Sequence, residues 1–316
     1  MKEIGVIGLG NAGKPLAERL LDKKYRLKVF DLNPQVMDEI AGHGALKASS
    51  AADAAAEITL TVLPSSVEVK AAAFGAGGVL VGLKPGDTLI DLSGTDPNFT
   101  RTLAAEAEQR GAGFLGATLH AAGAPAVTIP NGLLSIVVGG KQETLAGALP
   151  LLKDLAQKII CVPEPWMPKA LKIAVIMFAA ANAVAAAEVS SWLTAQGIDP
   201  KLFHALLQTT GSRESAGRME DFLKRNNSHG GALSNSYKDI RQALEVAAGY
   251  GMPLPLMNTV NQMQEIGRAM GLTRVNTPAA MGKLYEVLTG QNLSAAASDA
   301  EKRFPEPRPP EVIYLK

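Results

Sequence analysis

Gly8-Leu9-Gly10-Asn11-Ala12-Gly13 follows the apolar run Ile4-Gly5-Val6-Ile7 directly and opens onto Lys14-Pro15-Leu16-Ala17. A G-x-G-x-x-G alone is a weak signal, because glycine-rich turns are common. Its flanks decide the reading here. The motif joins a strand-sized run to a helical pattern at 14–21, and a second strand-sized run at 27–30 then ends in Asp31. The distance from Gly13 to Asp31 is close to the ~20 residues of the dinucleotide fingerprint. Each position has a physical task. Gly8 permits a tight turn, Gly10 lets a pyrophosphate approach the backbone, and Gly13 lets the helix pack close to the strand. Asn11 and Ala12 complete a turn whose helix N-terminus offers N–H groups and a positive dipole end to phosphate.

Asp31 bears on the choice of dinucleotide. A carboxylate at this strand end accepts hydrogen bonds from ribose hydroxyls and repels a 2′-phosphate. The next residues, Leu32-Asn33-Pro34-Gln35, bring no cation, so NAD is expected over NADP. If Asp31 served only to cap the following helix, the preference would stay open. Asn33 is itself a candidate N-cap, with Pro34 in the first turn.

Outward from this motif, strand-sized runs recur at 58–62, 88–92, 114–118 and 134–138, with helical stretches such as 97–110 between several of them. Alternation of this kind predicts an α/β Rossmann-type domain with a mostly parallel sheet and helices on both faces. The character changes after Cys161. Val162-Pro163-Glu164-Pro165-Trp166-Met167-Pro168 carries three prolines and reads as a linker. A long Ala-rich helix, about 169–196, follows and ends at Gly197. Beyond it only helical patterns occur, at 200–209, 219–224, 235–250, 254–270 and 278–288, before a proline-rich tail from Phe304. The expected organisation is therefore 1–163 as the dinucleotide domain and 164–316 as an all-α domain, joined by the long helix.

The composition excludes several function classes. Hydrophobic residues make up 47% and charged residues 19%, which excludes a disordered chain. The formal net charge is +1, so no overall field draws nucleic acid or an anionic membrane. One cysteine allows no internal disulfide and fits a reducing compartment. His43, His120, His204 and His229 show no metal-ligand spacing, and no metal is expected. The apolar stretch at 173–187 is shorter than a membrane span and reads as a buried helix. With no targeting segment ahead of residues 4–7, a cytoplasmic protein is expected. Arg213, Arg218, Lys224 and Arg225 could bind an anion or form a solvated face.

Six segments taken in order resemble the β-hydroxyacid dehydrogenase family, the 3-hydroxyisobutyrate dehydrogenase-like enzymes. They are the glycine motif through Ala17; Leu63-Pro64-Ser65-Ser66-Val67; Asp91-Leu92-Ser93-Gly94-Thr95-Asp96-Pro97; 132–140; Lys172; and Tyr237-Lys238-Asp239-Ile240. The resemblance covers the chain up to about Ala297. It implies hydride transfer between a nicotinamide and a small β-hydroxy acid, or its aldehyde or ketone. Lys172 matches the family's catalytic lysine; a lysine there can stabilise an alkoxide and pass a proton. Ser93 matches a substrate-contacting residue, and Lys238 matches a lysine near the cofactor. Leu63 and Pro64 match the strand end beside the nicotinamide. The resemblance also implies a homodimer or homotetramer through the helical domain, with a small molecule as the other partner. Packing alternatives stand beside these roles: a snorkelling lysine for Lys172, a turn hydroxyl for Ser93, a solvated lysine for Lys238.

The substrate side departs from the family pattern. The family's KxxNN reads Lys172-Ile173-Ala174-Val175-Ile176, so both asparagines are gone. The substrate loop reads Gly116-Ala117-Thr118-Leu119-His120-Ala121-Ala122, with His120 at a substrate-contacting serine position. His120 is therefore either a substrate contact or a histidine packed in a lengthened loop. The rival readings are an imine reductase on the same fold and a nucleotide-binding protein with little catalysis.

Overall fold

In the computed structural model, residues 3–121, 125–209, 222–223 and 231–293 are described. They fall into two compact units, Met1–Lys172 and Ile173–Lys316. The basic residues at 213, 218, 224 and 225, His229 and the tail from 304 lie outside the described residues. Of the helical pattern at 219–224, residues 222–223 are described and are helical.

The first unit begins with β1 (Glu3–Ile7), α1 (Gly13–Asp22), β2 (Arg26–Phe30), α2 (Pro34–Gly42) and β3 (Leu46–Lys47). There follow β4 (Ile58–Thr61), α3 (Ser66–Ala73), α4 (Val79–Gly82), β5 (Thr88–Asp91), α5 (Pro97–Gln109) and β6 (Gly113–Ala121). The last elements are α6 (Pro125–Thr128), β7 (Leu134–Gly140), α7 (Gln142–Leu155), β8 (Lys158–Val162) and the start of α8 (Met167–Ala195). The strand order is β3-β2-β1-β4-β5-β6-β7-β8. Strands from β3 to β6 run parallel; β7 is antiparallel to β6 and parallel to β8. The order reverses between β1 and β4, the switch point where open α/β sheets place their ligands.

Side chains alternate across the sheet and feed two cores. Ile4, Val6, Leu60, Ile90 and Leu115 join Leu16 and Leu20 of α1 and Leu151 and Leu152 of α7 on one face. Ile7, Leu89 and Phe114 join Val69 of α3, Leu80 of α4 and Leu103 of α5 on the other. The helices start where local chemistry dictates. The Asn33 side chain accepts from Gln35 N and Pro34 stands in the first turn of α2. Asp96 does the same for α5, accepting from Phe99 N at 2.8 Å ahead of Pro97.

Three readings of the sequence need correction. The segment 158–162 is a strand, and the 162–168 stretch is its exit rather than a free linker: Met167 and Pro168 already lie in α8. Likewise 116–121 is not a loop. It continues β6, held by antiparallel pairing that sets His120 opposite Ser135 and Gly116 opposite Gly139. Finally, 173–187 does not form a buried helix within this chain. Only 28% of the most apolar window of α8 is buried, and Val175, Phe178 and Trp192 are exposed. By length and composition alone, α8 could cross a membrane.

The division between the units falls inside α8, after Lys172, and not at 163/164. The reason is that the opening of α8 is tied to the sheet. Gly116 and Gly139 form a notch across β6 and β7, and the chain leaving β8 runs over it. A Cβ on Gly116 would lie 1.8 Å from Pro165 O, and one on Gly139 would lie 2.1 Å from Glu164 O. The second unit continues α8 and adds α9 (Pro200–Thr209), α10 (Leu233–Gly249), α11 (Pro255–Ala269) and α12 (Thr277–Thr289). Its core contains Ala183 and Ala187 of α8, Ile240 of α10, Val260 of α11 and Met281 and Leu284 of α12.

Candidate active site

The glycine loop leaves β1 and is pinned at once. Gly8 N donates to Phe30 O at 2.9 Å, and Val62 N donates to Ile7 O at 2.8 Å. Gly8 has φ +95°, and a Cβ there would lie 2.5 Å from Val62 O. Gly13 is tighter still: its Cβ would lie 1.9 Å from Gly8 O. Gly10 differs, with no atom within 4 Å of where its Cβ would stand. That opening is what a phosphate needs to approach the main chain. Ala12 is the N-cap of α1 and makes no side-chain hydrogen bond to the first turn, which carries no acidic residue. Asn11 lies in the turn just before it.

Asp31 stands at the mouth of this loop. Its Oδ2 accepts from Leu9 N at 2.6 Å and its Oδ1 accepts from Asn33 N at 2.8 Å. Asn33, and not Asp31, caps α2. The neighbouring cations are engaged elsewhere, Lys14 with Glu39 at 2.5 Å and Lys47 with Asp38 at 2.5 Å. An open glycine turn, an uncapped helix start and a carboxylate at the second strand end together fit a dinucleotide: phosphates at 8–13, a ribose at Asp31.

Leu63 and Pro64 follow β4. Leu63 N donates to Ser93 Oγ at 3.0 Å, and Gly94 N donates to Leu63 O at 3.1 Å. Ser93 is thus buried and ties the ends of β4 and β5 together. His120 lies farther along the same edge. β6 has nine residues against four in β5, and the paired stretch ends at Asp91 opposite Gly116, so 117–121 overhang. His120 Nε2 is 3.0 Å from Thr118 Oγ1. Burial first, and the Lys172 charge second, push the His120 imidazole below its ordinary pKa. The two side chains therefore feel one another. Lys172 itself is partly exposed, early in α8. In the second unit, Lys238 on α10 lies 3.4 Å from Asp239 Oδ1.

One residue escaped sequence reasoning. Lys169 is 1% exposed, and its Nζ reaches Asp91 O at 2.9 Å, Ser93 O at 2.9 Å and Ala117 O at 2.8 Å. The same nitrogen lies 3.0 Å from Asp91 Oδ2. Asp91 is also fully buried. Its Oδ1 accepts from Thr61 Oγ1 at 2.8 Å and Ser93 N at 3.1 Å, and its Oδ2 accepts from Thr95 Oγ1 at 2.7 Å. Burial raises the Asp91 carboxyl, but the Lys169 charge and the Ser93 and Thr95 donors outweigh it and hold the pKa below the usual value. Burial pulls Lys169 down against the attraction of Asp91. Four oxygens around Nζ require the protonated form, because a neutral amine would turn a lone pair toward acceptors. The available signal was a charged residue three positions before Lys172, in a segment otherwise read as linker.

Comparison with known proteins fits this arrangement. Residues 3–163 match the family described as the NAD binding domain of 6-phosphogluconate dehydrogenase. Residues 168–285 match the one described as NAD-binding of NADP-dependent 3-hydroxyisobutyrate dehydrogenase. The chain is 30% identical over 299 residues to 2-(hydroxymethyl)glutarate dehydrogenase of Eubacterium barkeri, covering 92% of this chain and 97% of that protein. The chain belongs to the β-hydroxyacid dehydrogenase family. It is an NAD(P)-dependent oxidoreductase of the 3-hydroxyisobutyrate dehydrogenase-like type. The structure of 3-hydroxyisobutyrate dehydrogenase from Mycobacterium tuberculosis with L-serine superposes with a TM-score of 0.78 at 25% identity, covering 90% of this chain and 99% of that one. An imine reductase from Myxococcus stipitatus shares the fold, with a TM-score of 0.61 at 17% identity, covering 90% of this chain and 99% of that one.

Proposed function

We infer that this β-hydroxyacid dehydrogenase oxidises a small β-hydroxy acid, or reduces the matching aldehyde or ketone, with NAD preferred over NADP. The observation that carries the reading is Lys172 beside His120 at the overhanging end of β6, on the sheet edge that bears the glycine loop. The dinucleotide, held at Gly8, Gly10, Asn11, Ala12, Gly13 and Asp31, would supply or accept the hydride beside Leu63 and Pro64. Lys172 would hold the substrate oxygen and pass its proton, stabilising charge as the carbon–oxygen bond changes order. Ser93 would fix the strand ends under the substrate, with Lys238 as the candidate cofactor contact from the second unit. The names 2-(hydroxymethyl)glutarate dehydrogenase and 3-hydroxyisobutyrate dehydrogenase support a hydroxy acid as substrate class. A panel followed at the NADH absorbance band tests the reading. Turnover of hydroxy acids or semialdehydes supports it; turnover of cyclic imines alone favours the second reading, for which apolar Val175 and Ile176 at the asparagine positions speak. Tight NADH binding with no turnover in the panel would leave only a nucleotide-binding role.

The NAD preference rests on Asp31 and on the neighbouring cations that already face carboxylates. NADH is expected to bind at least about tenfold tighter than NADPH, a difference of ~1.4 kcal/mol. A fluorescence titration with equal affinities would overturn this, and Asp31→Ala should narrow the gap.

His120 is assigned to the substrate. Held mostly neutral at pH 7 by burial and by Lys172, it can donate or accept one hydrogen bond. His120→Ala is expected to raise KM or lower kcat by about tenfold, or ~1.4 kcal/mol, with NADH affinity unmoved. Unchanged steady-state constants would return the residue to a packing role.

A homodimer or homotetramer is proposed because α8 leaves Val175, Phe178 and Trp192 exposed on a very apolar helix. Light scattering on the eluted protein gives the mass directly, and a monomer at micromolar concentration would overturn it. The exposed free thiol of Cys161 supports a reducing, cytoplasmic setting.

A further inference from the structure

Lys169 calls for an explanation beyond stability. A buried ion pair is weak evidence of a stability gain, since desolvation costs several kcal/mol per ion and apolar replacements are often neutral or better. The position of this ion is specific. Its three donors face the backbone oxygens of Asp91, Ser93 and Ala117 and the carboxylate of Asp91. Those oxygens belong to the ends of β5 and β6. Ser93 in turn holds Leu63, the exit of β4. Thr118, which contacts His120, is the next residue after Ala117. On its own helix, Lys169 is three residues before Lys172, and three residues is close to one turn. One ammonium group therefore fixes the strand ends that carry Ser93 and His120 and the helix turn that carries Lys172.

We propose that Lys169 is a positioning residue for the reaction: a buried internal cation that sets the register of Lys172 against Ser93 and His120. It touches neither substrate nor cofactor. The inference rests on the proposed role of Lys172 and goes beyond it. Geometry of this kind is costly to lose, because a displacement of about 1 Å at a reacting group can slow a reaction by on the order of 10²-fold.

The test separates position from stability by treating the two charges together. Wild type, Lys169→Met, the double variant Lys169→Met with Asp91→Asn, and Lys172→Ala are compared. Lys169→Met keeps the length of the side chain but strands the Asp91 carboxylate, so its melting temperature should fall. The double variant removes that stranded charge and should recover most of the melting temperature. In both, kcat is expected to fall by about tenfold or more while the NADH dissociation constant stays within about twofold. Recovery of kcat together with melting temperature in the double variant would overturn the proposal, because the cation would then be only a brace. A second readout needs no substrate: the rate at which acetic anhydride acylates Lys172, followed by peptide mass spectrometry. It should differ between wild type and the double variant, and an unchanged rate also overturns the proposal. A wild type inactive on hydroxy acids, or a fully active Lys172→Ala, would instead refute the proposed reaction, and the acylation rate would then decide the role of Lys169 alone.

Discussion

Lys172→Ala is expected to lower kcat by about 10²-fold or more, the scale set by loss of an acid–base or oxyanion-stabilising group. The NADH dissociation constant should barely change, because the glycine loop and Asp31 lie on other elements and do not depend on this side chain. The local structure supports a clean experiment. Lys172 is partly exposed, while the anchor of the α8 opening is Lys169, three residues earlier and fully buried. Truncation at 172 should therefore spare the fold. The His120 imidazole provides an internal check. The Lys172 charge is one of two causes that depress its pKa, so removing that charge should raise it toward the ordinary value. An NMR titration of the imidazole would show the rise. Near-normal kcat in Lys172→Ala would mean that the lysine only packs against the sheet edge.

The dinucleotide half was legible because its determinants are local. A tight turn with positive φ at Gly8, a close approach at Gly13 and a capped helix at Asn33 each involve residues near in sequence. The first unit's later features are set at long range, which pattern reading does not see. β6 reaches past β5 because it pairs with β7, so His120 looked like a loop residue. β8, with Lys158 and Cys161 exposed, has too little alternation to stand out as a strand. The apolar stretch of α8 was read as buried because composition reports hydrophobicity, not which surface covers it. Lys169 was passed over for a related reason. A charged residue among prolines reads as solvated until the carbonyls of three separate positions, 91, 93 and 117, are found around it.

Gly116→Val should be the most damaging change outside the catalytic groups, and the reason joins fold to site. Gly116 lies opposite Asp91 on one side and Gly139 on the other. Its missing side chain is the space through which the 164–165 backbone passes: a Cβ would stand 1.8 Å from Pro165 O and 2.8 Å from Pro165 C. Both obstacles are main-chain atoms, so no rotamer can relieve the clash. Pro165 must rise, and α8 starts two residues later at Met167. Lys169 would then leave oxygens it now meets at 2.8–3.0 Å, and Asp91 would remain buried without its counter-ion. Breaking a buried pair in this way costs about 3–5 kcal/mol. For the first unit that corresponds to a melting temperature lower by on the order of 10 °C. Gly147→Ala serves as the control: Gly147 lies in α7 with nothing within 4 Å of its Cβ position, so alanine there should be neutral or stabilising by up to ~1 kcal/mol. Turnover in Gly116→Val should fall with stability, because Ser93, His120 and Lys172 lose the cation that aligns them. Wild-type melting in Gly116→Val would show that the chain leaving β8 does not cross β6 at this point.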